Sequence, residues 1–199
     1  MRHYLVVTTL GLLLAACGPA TPNVAELDLE PYNEEHAAVF ENGVDMVADP
    51  QALGGSWLRT WEEELDQRIS MADLVALVTV RAMRHDTDLE RRDTLRLVAH
   101  PDRVFLGQET ITEGQDILFS VREGEGGYGT VENNERRLLD SQFFAFVKWE
   151  RDSADQLIPH WHLSPATDDV ALRVRDVLAE RRQIARDNQG TRRVIVHRE

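Results

Sequence analysis

Cysteine is almost absent from this chain, since Cys17 is the only one among its 199 residues. No disulfide can form within a single copy, so the stability of the folded part must come from a hydrophobic core. The N-terminal apolar run, residues 4–14, is also too short to span a bilayer, because about eleven residues fall well below the roughly 20 that a membrane helix needs. Its length is that of a signal-peptide core.

Positive charge is scarce as well. The chain carries 22 Lys and Arg against 35 Asp and Glu, for a net charge of -13, and Lys148 is its only lysine. Residues 1–16 contain Arg2 as their only counted charge, so their removal leaves 21 basic against 35 acidic residues and a net charge of -14. Nucleic-acid binding normally requires a basic surface that neutralises phosphates, so nucleic acid is not an expected partner.

The apolar run ends in Leu14-Ala15-Ala16-Cys17, which is followed by Gly18. This stretch resembles the lipobox of bacterial lipoproteins, whose signal peptidase cuts before an acylated cysteine. The resemblance implies that residues 1–16 are a signal peptide and that Cys17 carries the lipid, with several acyl chains supplying the two or more signals that stable anchoring requires. Because Gly18 stands where Asp tends to retain Gram-negative lipoproteins in the inner membrane, it also implies an outer-membrane location. The alternative is an incidental thiol beside an ordinary cleavage site.

Residues 17–35 are predicted to be a lipidated tether, since prolines and acidic side chains leave few large apolar residues to pack. Residues 36–199 are predicted to form a single globular domain, which is long enough to bury a sizeable core. Its first part, residues 36–53, matches both a helical face and a short alternating strand. The sequence leaves those two alternatives open.

Two amphipathic helices are predicted. The first begins near Ser56, because four apolar residues recur at four-residue intervals on one face: Trp57, Trp61, Leu65 and Ile69. A tryptophan pair at this spacing is typical of core packing. The second helix is predicted over about residues 167–189 and ends at Gly190. Residues 192–198 then form either an edge strand or a loose tail.

Alternating apolar residues predict five short strands between these helices. The strand positions are 74–83, 95–107 with a bend at Pro101-Asp102, 117–122, 143–149 and 157–163. The fourth strand is apolar on both faces at its start, so it is expected to be central. Five antiparallel strands in this order predict a small closed or partly closed barrel over about residues 72–166, because closure removes exposed strand edges.

This order of elements, with a short turn at Leu106-Gly107 and a phenylalanine-rich strand near its end, resembles the oligonucleotide- and oligosaccharide-binding (OB) barrel. The likeness is to the netrin-like version found in metalloprotease inhibitors and in bacterial envelope proteins. It implies an α+β fold in which an OB-like barrel of about five strands is flanked by an N-terminal and a C-terminal amphipathic helix. The inhibitors' disulfide framework is absent, and acylation at Cys17 would block the free cysteine amine with which they chelate their target's metal.

The strongest candidate for a chemical site is His160-Trp161-His162. Residues two apart on a strand point to the same side, so these two imidazoles match the spacing for one zinc or copper ion. His100, on another predicted strand, is a candidate third ligand that would leave an open position for water. The alternative is that His160 and His162 lie on a solvated face while Trp161 packs inward.

No other stretch predicts catalysis. The glycine-rich residues 123–129 lack the Lys-Ser/Thr of a phosphate loop and are predicted to be a mobile hairpin loop. Ser164 stands outside a Gly-x-Ser-x-Gly elbow. We therefore assign no catalytic residue, cofactor or metal, and expect a non-enzymatic binding or scaffold module that is anchored through Cys17 and meets an envelope protein or small ligand. The alternative is a zinc-dependent hydrolase that uses His100, His160 and His162.

Overall fold

The computed structural model describes the backbone of residues 29–196 and the side chains of residues 29–188. The predicted lipobox and Cys17 lie outside the described residues. The helices and strands follow the chain in this order: β1 (Glu30–Pro31), α1 (Glu34–Phe40), β2 (Gly43–Val44), α2 (Gly55–Met71), β3 (Leu74–Thr87), β4 (Asp93–Leu106), β5 (Ile117–Arg122), α3 (Tyr128–Asn133), α4 (Glu135–Leu138), β6 (Gln142–Arg151), β7 (Leu157–Pro165) and α5 (Asp168–Val196). No helix in this part of the chain is long and apolar enough to cross a membrane.

The strands form one sheet in the order β2-β7-β6-β3-β4-β5, and β1 pairs with the end of β6. The two short strands β1 and β2 run parallel to their neighbours, whereas the longer strands pair antiparallel. Strand β6 lies between β3 and β7. Its predicted central position is therefore confirmed, and burial from both sides explains its run of Phe, Ala and Val.

The sheet curls until its two sides meet. Strands β7 and β5 are four strand spacings apart, which is about 19 Å in a flat sheet. Nevertheless Nε1 of Trp161 on β7 donates to the carbonyl of Ser120 on β5 at 2.9 Å, and the rings of Trp161 and Phe119 lie 5.1 Å apart. The predicted α+β class with a barrel-like sheet is confirmed at this level, as an open half-barrel.

Irregular pairing between β3 and β4 contributes to this curl. The register shifts at three points, between Val75 and Ala76, between Leu77 and Val78, and between Val80 and Ala82. Such bulges bend a strand and increase its twist. The middle shift lies opposite Pro101-Asp102. Proline has no N–H to donate to the ladder, and β4 continues through it at this irregular point of the pairing.

The two faces of the half-barrel carry separate cores. The inner core contains Phe119, Val147, Trp149 and Trp161, and Val131 and Leu138 of α3 and α4 also belong to it. The outer face packs beneath α1, α2 and α5, and its core is formed by Phe40, Leu65, Ile69, Ala72, Val75, Phe144, Phe146, Val170, Val174, Val177 and Leu178. The chain thus buries both faces of β6.

Polar contacts fasten α5 to α2. Arg181 donates to the carbonyls of Ile69 and Ala72 at 2.8 and 3.0 Å, where the last turn of α2 leaves its carbonyls without helical partners. Arg173 forms a two-pronged ion pair with Asp66. The two helices are therefore joined by hydrogen bonds as well as by the outer core.

Of the tryptophan pair of α2, Trp61 packs against the outer core as predicted, whereas Trp57 does not. Trp57 is 74% exposed, and it lies in the first turn of the helix. Trp61 is half-buried and donates from Nε1 to Asp45 at 2.6 Å. The apolar periodicity continues beyond the part of the helix that meets the sheet.

Two predicted boundaries and one predicted hairpin loop also differ, and residues 36–53 combine the two alternatives that the sequence left open. Residues 30–35, assigned to the tether, take part in β1 and in the start of α1, and residues 36–53 contain both the rest of that helix and the short strand β2. The stretch after β5 is no hairpin, because β5 and β6 are not neighbours in the sheet and α3 and α4 connect them. Helix α5 continues past Gly190 to Val196, where an end and then a strand or tail were expected.

Candidate functional site

A cleft of about 790 Å³ opens where the two sides of the half-barrel approach each other. Residues of β5 line one side, the first half of β7 lines the other, and α1 with the loop before α3 borders both. The lining consists of Tyr32, Ala37, Ala38, Glu41, Asn42, Ser120, Arg122, Glu125, Gly126, Asp152, Gln156, Leu157, Ile158, Pro159 and His160. Because β5 does not pair with β2 or β7 among the described strands, this gap in the barrel stays open to a ligand.

Asn42 fixes one end of the cleft. It has a positive φ of 49°, a conformation that asparagine tolerates better than most residues. Its amide donates to Glu125 at 3.0 Å, and its side-chain oxygen accepts the backbone N–H of Trp161 at 3.1 Å. One side chain therefore joins the turn after α1, the glycine-rich loop and β7.

The glycine-rich loop is held closely against that turn. The N–H of Gly127 donates to the carbonyl of Glu41 at 2.9 Å. A Cβ at Gly127 would lie 2.2 Å from the carbonyl oxygen of Asn42 and 2.3 Å from Cα of Gly43, so only glycine fits there. These contacts replace the predicted hairpin with a fixed wall, and the cleft is largely preformed.

A fully buried carboxylate, that of Glu150 on β6, lies behind the cleft. Its Oε2 accepts the backbone N–H of Asn33 at 2.9 Å and lies 3.1 Å from Nε2 of His160, and its Oε1 contacts Nδ1 of His36. A carboxylate without water normally needs several such donors. The sequence analysis missed this group, although a charged residue at the end of an otherwise apolar strand was a signal for it.

His160 connects the buried carboxylate with the cleft. It is 3% exposed, lines the cleft, and packs its ring 5.6 Å from that of Tyr32. Burial lowers its pKa, and the neighbouring charge of Glu150 opposes that shift. In the neutral ring, an Nε2–H donates to Glu150. The buried Nδ1 is then an acceptor that finds no partner in the described part of the chain.

His162 has a different environment. It is 3% exposed, its Nδ1 donates to the carbonyl of Phe40 at 3.1 Å, and its buried Nε2 has no hydrogen-bond partner among residues 29–188. Desolvation lowers its pKa to about 3, and the charge of Arg68 acts in the same direction. The predicted common side of His160 and His162 is thus confirmed, but that side is buried under α1 and is not a solvated face.

His100 does not join the other two histidines. His100 on β4 and Gln142 on β6 both pair with Thr79 of β3, so they lie at the same level of the sheet. His160 pairs instead with Lys148, which lies six residues beyond Gln142 and therefore about 20 Å further along β6. The imidazole of His100 instead contacts Asp116 at 2.8 Å. The structure therefore does not assemble the predicted His100, His160 and His162 site.

Ser164 offers no accessible nucleophile. It is fully buried, and its hydroxyl has no hydrogen-bond partner among the described residues. A serine hydrolase needs a base within hydrogen-bond reach of an exposed hydroxyl. The structure gives no support for such an activity.

Comparison of the chain with protein-family models, with curated proteins and with solved structures finds no match in any of the three.

Proposed function

We propose that this protein is a non-enzymatic binding module of the bacterial cell envelope, anchored in the outer membrane by lipid on Cys17. Its ligand site is the cleft between β5 and β7. The observation that carries this proposal is the preformed wall of the cleft, which Asn42 and the close packing of Gly127 hold in place. A cavity of about 790 Å³ lies within the range of roughly 300–1,000 Å³ that small-molecule sites occupy.

The lining favours a ligand with a positively charged group and an apolar body. Three carboxylates, from Glu41, Glu125 and Asp152, border the cleft with the single guanidinium of Arg122. The side formed by β7 is apolar at residues 157–159. An amine-bearing small molecule, or a basic apolar segment of an envelope protein, has this chemistry.

The finer description of the fold is part of the same proposal. An OB-like barrel of the netrin-like kind, with a helix on either side of it in the chain, is supported by the curl that brings Trp161 to Ser120. An experimental structure in which the strand order departs from that of the OB barrel would overturn this assignment.

Photocrosslinking in cells tests the cleft. A photoreactive phenylalanine analogue replaces Ala38, which lines the cleft, or Leu172, which is 47% exposed on α5 and serves as the matched control. We expect a discrete adduct by intact-protein mass spectrometry at position 38 and none at position 172. Equal labelling at both positions, or no adduct at position 38, would contradict the proposal.

Fractionation tests the anchor separately. Cys17→Ser removes the only thiol that can be acylated, so the variant is expected to leave the membrane fraction and lose incorporated palmitate. Ser56→Ala, which alters a side chain outside the lipobox, is the control and stays with the membrane. Unchanged fractionation of Cys17→Ser would show that the lipobox assignment is wrong, whatever the cleft binds.

A further inference from the structure

Two glutamates face each other at the start of the described chain. The parallel pairing of β1 with β6 places Glu30 directly opposite Glu150. Like charges directly across a sheet destabilise the pairing unless something neutralises them. Glu150 is fully buried, so water cannot screen its charge as it screens exposed carboxylates.

Helix α1 brings an imidazole to the same point. Asn33 caps the helix by accepting the N–H of Glu35 at 2.9 Å, and His36 follows in the first turn. One ligand atom from each of Glu30, His36 and Glu150 can be chosen so that all three lie within 4.8 Å of one another. Three residues from three separate elements thus converge on one position.

The surroundings carry an excess of negative charge. Besides Glu30 and Glu150, the carboxylate of Asp73 lies nearby. The ammonium group of Lys148 pairs with two of these three carboxylates, at 3.2 Å from Glu30 and 3.3 Å from Asp73. With His36 neutral, as a metal ligand must be, one ammonium group does not balance three carboxylates. A divalent cation between Glu30 and Glu150 would complete the balance.

The cluster is accessible from the surface. A shallow depression of about 740 Å³ lies over it and is lined by Glu30, Pro31, Tyr32, Asn33, Glu34 and His36. The side chain of His36 is 19% exposed, whereas that of Glu150 is fully buried. An ion would enter from this depression past Glu30 and His36, reach the buried carboxylate of Glu150, and keep an outward position for water.

We propose that Glu30, His36 and Glu150 form a binding site for a divalent transition-metal ion of the zinc class. An imidazole nitrogen with two carboxylates is a ligand set that zinc uses, and the nitrogen disfavours calcium and magnesium. The N–H of His160 on the second oxygen of Glu150 would orient that carboxylate, as outer partners of metal ligands do. This site shares no ligand with the trio His100, His160 and His162.

The ion would also stabilise the start of the fold. Strand β1 is two residues long, and it carries Glu30, while His36 lies on the short helix α1. A metal held by both elements and by β6 would fasten them to the sheet. Binding to the folded state alone raises stability by mass action, so zinc is expected to raise the melting temperature of the protein.

Calorimetric titration of the purified full chain with zinc chloride tests the site. We expect one ion per chain, with the dissociation constant increased at least about tenfold in Glu30→Gln and in His36→Ala. The controls are Glu34→Gln, in the same depression but outside the cluster, and His85→Ala, an exposed imidazole that contacts Asp93. Both controls are expected to bind zinc like the unaltered protein.

X-ray absorption of the zinc-loaded chain identifies the ligands. We expect a single imidazole in the first coordination sphere, which His36→Ala removes. Absence of zinc binding, equal affinity in Glu30→Gln, His36→Ala and the unaltered chain, or a sphere with two or more imidazoles would overturn the proposal. Because Glu30 is exposed, Glu30→Gln is expected to fold. The test therefore does not depend on a substitution at the buried Glu150.

Discussion

The two halves of β6 present the same face of one strand to different neighbours. In the first half, Phe144 and Phe146 lie beneath α2 and α5 in the outer core. In the second half, Lys148 and Glu150 lie beside β1 and α1, where they contact Asp73, His36 and His160. The first half therefore contributes stability by excluding water, whereas the second half gathers the charged groups around which the proposed metal site is built.

The largest effect is expected in the apolar half. Phe146→Ala removes a fully buried ring, and the cavity it leaves should lower the free energy of unfolding by about 3–5 kcal/mol. Urea denaturation followed by tryptophan fluorescence measures this loss. Zinc affinity should stay unchanged where the variant is folded, and a loss below about 1 kcal/mol would contradict the division between the two halves.

A smaller loss is expected in the charged half. Glu150→Leu leaves the N–H of Asn33 and the imidazole of His160 without their acceptor, at a cost of about 1–3 kcal/mol in chelator-treated protein. Glu150→Gln keeps an acceptor oxygen and should lose less. An increase in stability for Glu150→Leu would mean that desolvation of the carboxylate outweighs its hydrogen bonds, which would reverse the comparison.

The smallest effect is a pH dependence at the boundary between the halves, where His162 pairs with Phe146. The folded-state pKa of His162 is lowered from 6.5 to about 3, so between these values the unfolded chain binds a proton that the folded protein does not. Stability is thus complete above pH 6.5 and falls on acidification toward pH 3. From pH 6.5 to about pH 5.5 this amounts to about 1 kcal/mol.

Replacing His162 with a side chain that does not titrate measures this contribution. His162→Gln should flatten the fall in unfolding free energy over that interval, as determined from urea midpoints at each pH. His85→Gln is the matched control, because the His85 side chain is 55% exposed. Identical slopes in His162→Gln and the unaltered protein would contradict the assignment.

Local pattern was sufficient for most elements. The interval of four residues predicted α2, and alternation predicted five strands close to their observed positions, because each segment buries a regular set of side chains. Local pattern failed at Trp57, where the helix no longer packs against the sheet. It also failed for α3 and α4, which are too short to show a helical period. Val131 and Leu138, seven residues apart and both buried in the inner core, were the available signal there.

The candidate sites were less predictable than the fold. His160 was selected from its spacing and does line the cleft, but its partner Glu150 comes from β6. Residues 30–36 supply its ring neighbour Tyr32 and the other contacts of Glu150. Residues 30–35 of that segment were assigned to a tether, because the tether region is polar and contains prolines. Its contribution to the sheet depends on strand β6, which is more than a hundred residues away in the chain.

The sequence by itself determined the acidic charge, the absence of disulfides, the helix and strand periods and the central place of β6, because these follow from composition and from neighbouring residues. Tertiary structure alone decided which polar groups meet. The curl of the sheet opened the cleft between β5 and β7, and the pairing of β1 with β6 set Glu30 opposite Glu150. Such contacts depend on strand order and register, which arise only when distant segments bury their apolar faces together.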